Sequence, residues 1–366
     1  MKIFIKHLFT KNMKDITILF SACSSPSAPG MFHFLKNVKE RKIKIVGVDI
    51  QDDPSVYFMV DSFYQVPAAT APNYVDIVLG ICKKENVTVY FPNISVEVEA
   101  VVARKNEFDT IGVKLSVSNI DSIRISNNKL RTYQMLQKAG ISVPKFYGVH
   151  SVEEFIAGCK HMGYPAHPVC LKIVDGSGSR GVRIIDATRS RYEIFVHEKP
   201  NSFFTSYEDM LNVLKQAGDN FHEMMLVEYM PGNEYTVDLL AEKGKILYQV
   251  GRENVVSLMS IAQESILVKD EEAYRVSSQV VELLNVDGNM GFDFMRTADG
   301  RPVLMDINPR ITATVSVVAA GGVNLMYLRI KQLLDEEMPR CEPIYGTRLK
   351  RRYGEIYTAP DGSRIE

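Results

Sequence analysis

The 366-residue sequence predicts an α/β and α+β chain, with a parallel, helix-covered sheet in its first third and antiparallel sheets behind it. Short β-rich runs alternate with longer helical patterns over residues 15–118. The pattern changes near Asn127, and the later β-rich runs are joined by short glycine-bearing turns that read as hairpins. The composition, 46% hydrophobic and 24% charged, is that of an ordinary globular protein.

The N-terminus, MKIFIKHLFTKNMKDITILF, has apolar stretches broken by Lys6, His7 and Lys11. It reads as a loose arm over residues 1–14, with Met13 an alternative start, rather than a signal peptide. Residues 15–120 form the first domain. Its β-rich runs are ITILFSA, KIKIVGVDI, VTVYFPN and VKLSVS, with MFHFLKNVKERK, YVDIVLGICKKEN and EVEAVVARKNEF as helices between them. The loop after the first strand, SACSSPSAPG, lacks GxGxxG, so a Rossmann-shaped domain without dinucleotide binding is expected. The segment SNNKLRTYQMLQKAGISVPKF then places Leu130, Tyr133 and Leu136 along one helical face and stops at Gly140, with Pro144 beyond. Further helices are expected over 207–216, 271–284 and 325–337. The basic cluster at 348–352 reads as a solvated strand face.

Charge and cysteine usage exclude several classes. The formal net charge of −1 offers no field for nucleic acid or a membrane surface. No apolar run approaches the ~18 residues of a membrane span. Five scattered cysteines without CxxC spacing favour free thiols in a reducing cytoplasm.

Two segments carry chemistry. KIVDGSGSRG, at residues 172–181, places its lysine ahead of the glycines and leads into another β-rich run, GVRIID. A Walker loop needs the lysine last and a helix behind it, so this is a hairpin flap instead. Read alone, it fits a phosphate cover and an ordinary mobile hairpin, with Lys172 reaching to water, equally well.

The second segment is GFDFMRTADGRPVLMDINPR. A turn centred on Asp299–Gly300 sets Asp293 opposite Asp306, with Asn308 and Arg310 following on the same face. Phe292, Phe294, Val303, Met305 and Ile307 would form the apolar face. Like charges directly opposed across strands repel, and a hard divalent cation offsets that repulsion better than two solvated surface aspartates would.

The ordered set resembles the ATP-grasp superfamily, particularly single modules similar to half of a carbamoyl-phosphate synthase large chain. NKLRTYQMLQKAGISVP, CLKIVDGSGSRGVRII, LVEYMPGNEYTVD, GFDF and MDINPR stand in the family's order. The resemblance implies a Rossmann-like pre-ATP-grasp domain over 15–120. Behind it would come a small ATP-grasp lobe with the flap (121–227), a large lobe with the metal site (228–345) and a C-terminal tail (346–366). It implies ATP with one or two Mg²⁺ ions, Mn²⁺ being an acceptable substitute. Lys129 and Lys172 would bind phosphates under Gly176, Ser177, Gly178, Ser179 and Gly181. Glu228, Tyr229 and Met230 would meet the adenine, and Glu234 the ribose. Asp293, Asp306 and Asn308 would hold the metal, and Arg310 would stabilise charge on the γ-phosphate or an acyl phosphate. Taken singly, Lys129 is a plain helix-surface lysine and Glu234 an exposed carboxylate. Asp293 and Asp306 are one methylene shorter than the residues common in relatives, and SACSSPSAPG is unusual among them.

The implied reaction is ATP-dependent ligation of a small carboxylate to an amine or similar nucleophile through an acyl phosphate, in a cytoplasmic enzyme compatible with a homodimer. Alternatives are phosphorylation of bicarbonate or carbamate, and a non-catalytic ATP-binding regulator. Arg252, in VGREN, reads equally as a carboxylate clamp and as a surface salt bridge.

Overall fold

The computed structural model describes residues 13–365 except 177, 201, 259, 260 and 353. The first sheet is parallel. Its strands are β1 (Ile16–Ser21), β2 (Ile43–Asp49), β3 (Ser62–Gln65), β4 (Val89–Phe91) and β5 (Lys114–Leu115), in spatial order β3-β2-β1-β4-β5. That is a doubly wound order, with helices Ala28–Lys36, Tyr74–Glu85 and Ser95–Ala103 supplying the crossovers. The edge strand β3 escapes the sequence reading because it is short and half-exposed, with no buried alternation.

Two antiparallel systems follow. Strands β6 (Phe146–Val149), β7 (Val169–Ile173), β8 (Arg183–Ile185), β9 (Phe204–Thr205) and β10 (Met224–Glu228) make a five-stranded sheet in order β6-β10-β7-β8-β9; only its β8–β9 edge is parallel. Strands β11 (Glu234–Glu242), β12 (Lys245–Leu258), β13 (Ile261–Leu267), β14 (Gly288–Arg296), β15 (Pro302–Asn308) and β16 (Arg348–Lys350) make the large sheet, ordered β15-β14-β11-β12-β13-β16. Helix Glu271–Leu283 packs one face of that sheet, burying Val276, Val280 and Val281 against Val237, Leu239 and Phe292. The helix expected at Asn127 runs from Lys129 to Lys138, with the Asn128 side chain accepting from Arg131 N–H at 2.9 Å.

The first sheet docks onto the large lobe. One apolar cluster joins Ile18, Phe20 and Phe32 to Val315, Val318 and Leu325. Buried Arg329 clamps the seam, donating to Val117 O at 3.0 Å and Asp287 Oδ1 at 3.1 Å. Beside it, Lys331 pairs with Glu40 at 2.9 Å. Among the described residues no helix is long and apolar enough to cross a membrane.

Candidate active site

Register across the large sheet assembles the site. Thr236 of β11 lies opposite Arg252 of β12 on one side and Asp293 of β14 on the other, and Asp293 lies opposite Asp306 of β15. Alternation along β11 puts Glu234, Thr236 and Asp238 on one face, while Tyr235, Val237 and Leu239 enter the core. Arg252, Thr236, Asp293 and Asp306 therefore form one row across four strands. Gly291, opposite Asn308, leaves the room that Thr312 needs: a Cβ there would stand 2.1 Å from the Thr312 methyl carbon.

The opposed aspartates stand as the turn count predicts, but their flanks do not. The connection spans Thr297 to Arg301, Arg296 pairs with Pro302, and a bulge between Asp293 and Phe294 restores the expected pairing only from Asp293 onward. Leu304 consequently takes the core position among Phe292, Phe294 and Ile307. Val303 and Met305 turn to the other side, packing with Leu130, Tyr133 and Met230. This corrects the apolar face expected from strict alternation.

A cleft of about 420 Å³ runs over the row. Lys129, Lys172, Gly176, Gly178, Ser179, Glu234, Arg252, Asp293, Asp306, Asn308 and Arg310 all line it. Gly181 and the expected adenine contacts Glu228, Tyr229 and Met230 do not; Met230 adjoins the cleft through the cluster it shares with Met305. Ser177 lies outside the described residues. The flap closes through Ile173 N–H to Gly181 O at 3.2 Å. Gly181 is obligatory there, because φ is +68° and a Cβ would meet Ile173 at 2.2 Å.

Lys129 is no plain surface lysine. Its Nζ donates to Gly176 O at 2.7 Å and sits 3.4 Å from Asp306 Oδ2, tying the flap to the acidic pair. Asp293 accepts from Thr236 Oγ1 at 2.7 Å and from Asn308 Nδ2 at 2.8 Å. Burial, reinforced by repulsion from Glu234 and then Asp306, pushes its carboxyl up to about 7. A carboxyl so placed needs a cation to ionise fully at neutral pH. Among the described residues no three His, Cys, Asp or Glu side chains cluster as a self-sufficient metal site. Two carboxylates and an amide, with phosphate oxygens to complete the shell, suit Mg²⁺.

Arg252 lines the cleft and is not a surface salt bridge. It is 3% exposed, and its Nε donates to Asp238 Oδ2 at 2.7 Å. Its other nitrogens donate to Asn254 Oδ1 and, at 3.2 Å, to Thr312 Oγ1. Asn254 in turn donates to Glu234, so the buried ion pair braces the carboxylate expected to meet ribose. Half-buried Arg310 donates to Ile311 O at 2.9 Å, its Nε is buried without a hydrogen-bond partner among the described residues, and burial lowers its pKa.

Sequence reasoning missed Thr236, Asp238, Asn254 and Asn93; Ala22, Ser25 and Ser27 of the cleft wall belong to SACSSPSAPG, the loop that the sequence marks as unusual, and Thr312 to the segment that follows Arg310. Alternation from Glu234 would have found the first two. It also missed Glu97, fully buried, whose carboxylate takes Ser21 and Tyr74 hydroxyls at 2.5 Å, the Tyr90 hydroxyl, and the Asn93 N–H at 3.1 Å.

Residues 220–352 match the family described as ATP-grasp in the biosynthetic pathway with Ter operon, and residues 30–116 match the PylC-like N-terminal domain. The chain carries an ATP-grasp domain. Curated relatives of the chain include the carbamoyl phosphate synthase large chains of Methanobrevibacter smithii and Pyrococcus furiosus. The first is 23% identical over 303 residues, covering 78% of this chain and 26% of that one. The second is 20% identical over 244 residues, covering 63% and 21%. The chain thus spans about a quarter of the length of these relatives. In solved structures the ATP-grasp arrangement is shared with Campylobacter jejuni biotin carboxylase in its β-γ-ATP complex (TM-score 0.66, 14% identity, 89% of this chain and 73% of that one). An ADP complex of N5-carboxyaminoimidazole ribonucleotide synthetase matches with TM-score 0.64 and 15% identity, over 91% and 80%. The L-amino acid ligase of Bacillus licheniformis matches with TM-score 0.60 and 15% identity, over 89% and 75%.

Proposed function

We propose that this chain is an ATP-dependent ligase that activates a small carboxylate and joins it to an amine or similar nucleophile. The observation that supports this most is Lys129, which bridges the flap carbonyl of Gly176 and the carboxylate of Asp306 beside the opposed Asp293. Lys129 and Lys172 bind phosphate oxygens beneath the flap, Glu234 holds the ribose, and Glu228 to Met230 border the adenine. Asp293, Asp306 and Asn308 hold one or two Mg²⁺ ions, which neutralise phosphate charge when bound.

The substrate carboxylate attacks the γ-phosphorus, the bond to the bridging oxygen of ADP breaks, and an acyl phosphate forms. The amine then adds at the acyl carbon, loses a proton to solvent and expels phosphate. Arg310 stabilises the charge that moves through both steps. The flap keeps water from the acyl phosphate. Arg252 positions Glu234 through Asn254.

Likeness to carbamoyl phosphate synthase large chains favours a second reading, phosphorylation of bicarbonate or carbamate. Incubation of the protein with Mg·ATP and carboxylate–amine pairs, with ADP release and product mass recorded, separates the two. An amide product supports ligation. Stimulation by bicarbonate alone supports the second reading, and absence of Mg²⁺-dependent nucleotide binding refutes both.

A further inference from the structure

Lys129 and a divalent cation compete for the same oxygen. Asp306 accepts from the Ile307 N–H at 3.0 Å through Oδ1, and its Oδ2 faces Lys129 Nζ at 3.4 Å. Asp293 is held differently, by the neutral donors Thr236 and Asn308. More than the ion pair fixes the lysine. Its side chain is 12% exposed, its Nζ donates to Gly176 O at 2.7 Å, and its backbone N–H donates to Val174 O at 2.8 Å. Residue 129 is thus fastened twice to the stem of the flap, which keeps the ammonium beside Asp306.

Charge decides what such an arrangement accepts. A Mg²⁺ ion stands about 2.0–2.1 Å from a ligating oxygen. On Asp306 Oδ2 it would therefore lie within about 5.5 Å of the ammonium, which is 3.4 Å from that oxygen. A full charge within about 4–6 Å of a carboxylate changes its proton affinity by roughly one to three powers of ten. A doubly charged metal responds at least as strongly, because the Coulomb energy scales with both charges.

Polyphosphate reverses the sign. It brings negative charge to both cations at once, so the lysine that opposes a lone metal attracts the same metal's phosphate complex. The ammonium has three donors, and Gly176 O and Asp306 engage two of them. Lys172 lines the same cleft without an acidic partner among the described residues, so it carries no such conflict.

We infer that Lys129 makes this site selective for a metal–polyphosphate complex over the free divalent cation, opposing a lone metal at Asp306 and gripping the phosphates that arrive with it. This inference rests on the nucleotide and metal assignments of the ligase reading above.

The test uses the full chain at about pH 8, above the titration of Asp293. Lone-metal affinity is read by electron paramagnetic resonance of Mn²⁺, and the affinity for a non-hydrolysable ATP analogue with Mg²⁺ by calorimetry. Lys129→Met should bind Mn²⁺ alone about tenfold or more tighter than the unaltered chain. The same variant should bind the analogue with Mg²⁺ about tenfold or more weakly. A gain in metal affinity cannot come from unfolding, and Lys129→Gln repeats the comparison should the Met variant melt early. One arm needs no variant. In the unaltered chain, saturating Mg²⁺ alone should speed hydrogen exchange at the flap amides, because it displaces the lysine that holds Gly176 O, whereas Mg²⁺ with the analogue should slow it.

A lysine that only grips phosphate leaves the lone-metal affinity unchanged on substitution, and one that only supports the fold lowers both affinities together. Either result would overturn the inference, as would flap exchange indifferent to Mg²⁺ alone. Failure of the unaltered chain to bind the analogue with Mg²⁺ would instead overturn the ligase reading.

Discussion

Arg252→Met removes one half of an ion pair whose side chains are only 4% and 2% exposed. Asp238 is then left buried with Thr312, at 2.5 Å, as its remaining side-chain donor among the described residues. Breaking such a pair from one side costs about 3–5 kcal/mol, because an uncompensated charge stays behind. The double variant Arg252→Met/Asp238→Leu removes both charges, so it should cost less than the two single changes summed, by roughly 1–3 kcal/mol. Urea unfolding followed by far-UV circular dichroism measures all three, since the chain has no tryptophan to report by fluorescence. The single variant should also weaken nucleotide binding, because Asn254 loses the guanidinium that orients it toward Glu234. A loss of under about 1 kcal/mol for Arg252→Met, or strict additivity in the double variant, would show that this pair does not brace the site.

Two further outcomes are expected. Lys172, which has no acidic partner among the described residues, spends its charge on the cleft, so Lys172→Met should weaken nucleotide binding with little loss of thermal stability. A large fall in melting temperature without loss of binding would contradict its assignment. Asp293 sets the pH dependence. Its folded carboxyl is raised from 3.8 to about 7, so the metal-free folded state binds a proton that the unfolded chain has released. Stability from this group is therefore lost as pH rises from about 4 to about 7. Mg²⁺ must displace that proton, so its affinity should fall about tenfold per unit below pH 7 and level off above it. A metal titration giving the same affinity across that range would refute the assignment.

The sequence carried more of the site than its local patterns promise. Asp293 opposite Asp306 agrees with counting across one two-residue turn because the bulge beside Asp293 offsets the longer connection from Thr297 to Arg301. The bulge beside Asp293 was invisible: Val303, Leu304 and Met305 are all apolar, so a one-residue slip leaves the pattern unchanged. The Arg252–Asp238 pair was hidden for a different reason. It depends on how β11 and β12 register, and that hairpin has a further irregularity between Leu240 and Ala241. Glu97 gathers donors from Ser21, Tyr74 and Tyr90, three separate segments that no local pattern brings together.

Calorimetric binding of a non-hydrolysable ATP analogue to the intact chain and to Asp306→Asn, each with and without Mg²⁺, bears most directly on the proposed site. The unaltered chain should bind tightly only with Mg²⁺. Asp306→Asn, nearly the same in shape, should lose that metal dependence and most of the affinity. Binding indifferent to Mg²⁺ in the unaltered chain, or unchanged in the variant, would contradict a metal–nucleotide site on the opposed aspartates.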